Sequence, residues 1–141
     1  MVRKRIYLHP EKELAMNKEI INTSNAPTPI GPYNQAVKAG NLLFLSGQVA
    51  LKPGTGEMAN KDIIEETHQV MQNLKAVLAE GGMNFSHVVK TTIFLSDMDL
   101  FGQVNEIYGR YFESNFPARE TVAVKGLPKN ANVEISMIAS I

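Results

Sequence analysis

The run Val133-Glu134-Ile135-Ser136-Met137-Ile138 near the end of the chain alternates apolar and polar side chains, the pattern of a half-buried strand. Successive side chains of a strand point to opposite faces, so Val133, Ile135 and Met137 share a core face and Glu134 and Ser136 share the other. A second strand precedes it, Arg119-Glu120-Thr121-Val122-Ala123-Val124. With Val122 and Val124 toward the core, Arg119 and Thr121 fall opposite. If the two strands pair across a connection that turns about Leu127-Pro128, Thr121 meets Glu134 and Arg119 meets Ser136. Turns set register, and this loop is not a two-residue one. In that pairing Arg119 and Glu134 are diagonal neighbours about 7–8 Å apart. The gap admits a small carboxylate between a cation and an acid. A diagonal Arg–Glu pair on a sheet is more often a surface ion pair worth about 0–1 kcal/mol.

The upstream chain supplies the rest of a sheet and its cover. Glu19–Asn22 is a short strand candidate, and the proline-rich stretch 25–32 reads as an extended loop. Tyr33–Val37 and Leu42–Leu45 flank a hairpin turn at Ala39-Gly40-Asn41. Lys52-Pro53-Gly54-Thr55-Gly56 is another turn; no Gly-Lys-Ser/Thr follows, so it is not a phosphate loop. From Asp62, with Glu65 three residues on in the manner of a capping box, apolar residues recur at helical spacing from Ile63 and Ile64 through Val70 and Leu74 to Leu78. Gly81-Gly82 stops that helix. His68 lies on it as a boundary or surface residue rather than a base. Val88–Leu95 is a β-branched strand, and Asp97 or Asp99 caps a second helix whose buried stripe runs from Leu100 to Phe112. The aromatics of that stripe are helix core rather than a base-stacking platform.

The order is thus β-β-β-α-β-α-β-β, an α+β single domain with a mixed sheet and two helices on one face. No helix remains for the other face, and copies of the same chain are the expected cover. Residues 1–15 read as an N-terminal extension before the domain at 16–141. They are mobile or an artefact of start-codon choice, with a basic partner-gripping arm as the alternative; no apolar signal-peptide core follows.

Composition narrows the function classes. The 141 residues carry 14 basic and 14 acidic side chains, so broad attraction to nucleic acid or anionic membrane is not supported. Cysteine is absent, which excludes thiol nucleophiles, disulfides and zinc–thiolate sites. No apolar run approaches the roughly 20 residues of a membrane span, and a soluble cytoplasmic protein without metal or cofactor is the expectation.

Seven short blocks then occur in order: Ile30-Gly31-Pro32-Tyr33, Ser46-Gly47-Gln48, Val89-Lys90-Thr91-Thr92, Val104-Asn105 with Tyr108, Phe116-Pro117-Ala118-Arg119, Leu127-Pro128-Lys129 and Val133-Glu134-Ile135. From about Met16 to its end the chain resembles the RidA/YjgF family of reactive-intermediate deaminases. The resemblance implies a fold like that of trimeric chorismate mutase, a homotrimer with clefts between subunits, and hydrolysis of 2-enamino and 2-imino acids to 2-keto acids and ammonia. It also implies roles: Arg119 clamps the substrate carboxylate, Glu134 holds or deprotonates the attacking water, and Tyr33, Ser46 and Asn105 line the cleft. Gly47 marks a close approach of backbone to ligand. Two departures stand out. Thr121 replaces a frequent cysteine and changes the pocket shape. Glu120 replaces a small residue, and by strand alternation it faces away from Arg119. Rival activities within the resemblance are endoribonuclease or translation inhibitor, or a non-catalytic trimer that binds small acids or client proteins.

Overall fold

β6 (Val133–Ser140) is the hub of the sheet. The strand order is β1-β2-β3-β6-β4-β5, where β1 is Lys18–Ile21, β2 Ala36–Ala39, β3 Leu42–Gln48, β4 Val88–Leu95 and β5 Ala118–Ala123. The computed structural model describes residues 17–141; the extension expected at 1–15 lies outside the described residues. β6 runs antiparallel to both β3 and β4, so β3 and β4 are parallel to each other. β5 joins β4 in parallel at the sheet edge. Parallel strands need a long crossover, and the two helices provide one each. α1 (Ile63–Glu80) carries the chain from β3 to β4, and α2 (Phe101–Gly109) carries it from β4 to β5.

Local signals account for these elements. Asp62 accepts a hydrogen bond from the Glu65 amide at 2.8 Å, and Glu65 accepts one from Lys61 N at 2.8 Å, which satisfies donors at the start of α1. Gly82, at φ 74°, takes the left-handed turn that ends it. Asp97 rather than Asp99 starts the second helical segment, as the acceptor of the Asp99 amide on a 3₁₀ turn that leads into α2. α2 stops at Gly109, so Tyr111 and Phe112 lie in the turn beyond it, still packed on Phe85. Gly40, at φ 59°, makes the hairpin between β2 and β3.

The core lies between the helices and one sheet face. Leu43, Ile93, Leu95 and Ile135 from the sheet meet Val70, Leu74 and Leu78 of α1, all essentially buried, and burial of each such large side chain contributes about 1.5–3 kcal/mol. Ile64, expected in the stripe of α1, is exposed. His68 spans α1 and the turn after α2, with Nδ1 2.7 Å from the Tyr111 hydroxyl. No helix among the described residues is long and apolar enough to cross a membrane.

The pairing expected at the end of the chain does not form. β4 lies between β5 and β6, with Thr91 beside Arg119 on one side and Met137 on the other. Paired residues share a face, so Arg119 and Thr121 turn toward the helices with Thr91 and Ile93. Val122 points away from them and is 42% exposed. Glu134 pairs with Phe94 and faces the open side. Arg119 and Glu134 of one protomer therefore sit on opposite faces, not diagonally on one.

Candidate active site

Arg119 is presented by the edge strand β5 and held by α2. Its Nη1 donates to Asn105 Oδ1 at 2.7 Å. Its guanidinium carbon lies 5.2 Å from the Tyr108 ring centre and 5.6 Å from that of Phe101, within range of attraction to both aromatic faces. Positions 101, 105 and 108 fall on one side of a helix, so a single helix face fixes the cation from three sides. Tyr108 is anchored in turn by its hydroxyl, which donates to Thr91 Oγ1 at 3.0 Å. Burial pushes the Tyr108 phenol up, while the Thr91 bond and the Arg119 charge pull the other way.

The guanidinium opens onto a cleft of about 460 Å³ lined by Asn105, Tyr108, Gly109, Phe116, Pro117 and Arg119. Among the described residues the ion pairs are Lys90–Glu120 and Arg110–Glu106, so no carboxylate neutralises Arg119. Glu120 faces the open side as alternation requires. Lys90 there holds its carboxyl below the usual carboxylate range, with Thr92 Oγ1 donating to Oε1 at 3.2 Å. A planar cation with one edge already bound and the rest facing an open cleft is suited to a small carboxylate or phosphate. Thr121 lies two residues along the same face, and its Oγ1 is buried with no hydrogen-bond partner.

Glu134 belongs to a second cluster on the open face. A bulge in β3 between Leu45 and Gln48 shifts the pairing with β6. Gly47 sits in that bulge, under the Glu134 side chain. A Cβ at Gly47 would lie 2.6 Å from Oε1 and 2.9 Å from Cδ, so any side chain there displaces the carboxylate from this position. Burial raises the pKa of Glu134, since desolvation penalises the charged form. Ser46, next in the bulge, donates its hydroxyl to the Asn34 carbonyl at 2.6 Å, which places it beside the loop bearing Tyr33. That tyrosine is 51% exposed.

The expected residues thus separate into Arg119, Asn105 and Thr121 on the helix side, and Glu134, Gly47 and Ser46 in the bulge cluster, with Tyr33 on the loop beside Ser46. Sequence reasoning missed Phe101 and Tyr108, which it assigned to helix core alone. The signal was their spacing from Asn105. Among the described residues no group of three or more His, Asp or Glu is placed to hold a metal ion.

The family model described as endoribonuclease L-PSP matches residues 23–141. A RutC family protein of Pyrococcus horikoshii is 49% identical over 122 residues, 86% of this chain and 97% of the relative. The 2-iminobutanoate/2-iminopropanoate deaminase of Mus musculus is 44% identical over 122 residues, 86% of this chain and 90% of the relative. The solved structure of a Rid-family protein of unknown function from Yersinia pestis is 46% identical, with a TM-score of 0.86 over 88% of this chain and 99% of that one.

Proposed function

Given that the chain belongs to the endoribonuclease L-PSP family, the RidA/YjgF proteins, we propose that it hydrolyses small 2-imino acids, and their 2-enamino tautomers, to 2-keto acids and ammonia. The observation that carries this reading is the Arg119 guanidinium, fixed by Asn105, Phe101 and Tyr108 and unopposed by any described carboxylate at the cleft. The name of the mouse relative supports the same substrate class.

In the proposed reaction Arg119 binds the substrate carboxylate through two parallel N–H bonds. An enamine first takes a proton at C3 and becomes the iminium. Water then attacks C2, and Glu134 accepts its proton. The carbon–nitrogen π bond becomes the nitrogen lone pair of a carbinolamine. That nitrogen takes the proton from Glu134, the carbon–nitrogen bond breaks with its electron pair leaving on ammonia, and the hydroxyl gives up its proton as the keto group forms; ammonia takes that proton through solvent, which leaves 2-keto acid and ammonium with Glu134 again ionised. An iminium is already electrophilic, so placement of water and one proton acceptor, worth about 10²–10⁴-fold, is the main requirement. The burial that raises the Glu134 pKa makes its carboxylate a better base.

One protomer cannot supply both groups to one substrate, because Arg119 and Glu134 face opposite sides of the sheet. The proposal therefore includes a homotrimer in which the open face of one copy meets the β5 edge of the next. Exposed Ile20, Leu42, Phe44 and Val122 on the described surface support burial of this kind. The test is a coupled assay in which a dehydratase generates 2-aminoacrylate and keto-acid release is followed with and without the protein. Faster release is expected. An unchanged rate, or RNA cleavage that survives Arg119→Ala, counts against the reading.

A further inference from the structure

Glu66, on the first turns of α1, is fully buried and has no cation partner among the described residues. Burial of a lone carboxylate is costly, and replacement of buried ionic groups by apolar ones is often neutral or stabilising. All three hydrogen bonds this carboxylate accepts come from one short segment. Oε2 accepts from the backbone amides of Asn132 at 2.7 Å and Val133 at 3.0 Å, and Oε1 accepts from Asn132 Nδ2 at 3.1 Å. Asn132 is also gripped from the far side by Ser96, just past β4. Ser96 N donates to the Asn132 carbonyl at 3.0 Å and Ser96 Oγ to Asn132 Oδ1 at 2.8 Å. The segment needs such a grip, because the chain arrives at Asn132 from a turn with positive φ at Lys129 and Asn130. Two residues after Asn132 comes Glu134.

From this geometry we infer that Glu66 is a positioning residue for Glu134, acting through Asn132: the buried carboxylate fixes where β6 begins and so where the Glu134 side chain leaves the sheet. The inference rests on the proposed role of Glu134 in turnover. Glu66 touches no substrate. Its hold defines one end of the segment, and the glycine under the Glu134 carboxylate defines the space above the sheet.

The hydrogen-bond pattern supplies the test. Asn132→Asp sets a second carboxylate against Glu66 Oε1. Glu66→Gln added to it restores a donor there, while the glutamine oxygen still accepts both backbone amides. Asn132→Asp is expected to lower kcat about tenfold or more with KM unchanged, and the double variant to recover to within about threefold of wild type. A merely structural role lowers the melting temperature of the single variant but leaves kcat per folded molecule at the wild-type value. That outcome, or a double variant no better than Asn132→Asp, overturns the inference. If Asn132→Asp does not fold, Asn132→Ala gives the same reading, with kcat lower by about threefold and KM unchanged. Amide hydrogen exchange at Val133 and Glu134, faster in the single variant and restored in the double, decides the structural half independently of activity. A wild-type protein that releases no keto acid sinks the proposed reaction, while unaltered exchange in Asn132→Asp sinks the positioning role.

Discussion

Arg119→Lys keeps the charge and removes the geometry. In the proposed reaction the guanidinium would present two parallel donors to a substrate carboxylate while Nη1 stays on Asn105; an ammonium offers a single compact charge and cannot lie between the rings of Phe101 and Tyr108 in the same way. Loss of one charge-assisted bond costs about 1.5–3 kcal/mol. Loss of the aromatic contacts, at about 0.5–1 kcal/mol each, lets the cation wander. Together these amount to about 2.5–5 kcal/mol, or about 70- to 5000-fold in kcat/KM. Arg119 is only half-buried on an edge strand, so stability falls by about 1 kcal/mol or less. Keto-acid release across a range of imino-acid concentrations, with a melting curve alongside, gives both numbers. A Lys variant within about threefold of wild-type kcat/KM at unchanged stability refutes the clamp, since a diffuse positive charge would then suffice.

Further outcomes follow from the same geometry. Gly47→Ala places a methyl group 2.6 Å from Glu134 Oε1, so the carboxylate must move; kcat is expected to fall about tenfold or more while the melting temperature shifts by only a few degrees, roughly the effect of 1 kcal/mol. Burial in the protomer raises the Glu134 pKa and Arg119 of another copy lowers it in the proposed site, so their balance sets the acid limb of the kcat–pH profile, and Glu134→Gln, expected to slow turnover while carboxylate binding persists, removes that limb. The sign for folding is the reverse: ionised Glu134 opposes folding above its raised folded-state pKa, and this penalty fades as pH falls through that value and is gone below the unfolded one. A urea titration of wild type against Glu134→Gln on both sides of that window measures it. Phe44→Asp, on the open face where Phe44 is 42% exposed, is expected to give a folded smaller species by sedimentation with no turnover; an active monomer contradicts the shared site.

Much of the architecture was legible because its signals are local. Asp62, Glu65 and Gly82 bracket α1, and the alternation of β6 assigned Val133, Ile135 and Met137 to the core and Glu134 away from it, as found. The strand before it was misread because Val122 and Val124 looked like core residues. On an edge strand the helix side instead takes Arg119 and Thr121, and the valine is left on the face with no cover within the protomer. The partner of β5 was not legible either. Adjacent strands in sequence favour a hairpin, but the α2 crossover delivers β5 alongside β4 first, and no local signal reports such a non-local pairing. The end of α2 at Gly109 was overrun because Tyr111 and Phe112 continue the apolar spacing after the helix has stopped. At the site, the resemblance supplied the candidate residues, whereas their two-cluster layout depends on the sheet order.

In the proposed site an arginine from one copy meets a glutamate from another. Arg119→Ala and Glu134→Gln subunits, each strongly impaired alone, should regain about a quarter of wild-type turnover when unfolded together and refolded as mixed assemblies, the chance that a site draws each group from the competent copy. A mixture as impaired as its parents, with mixed assembly verified by mass, contradicts it.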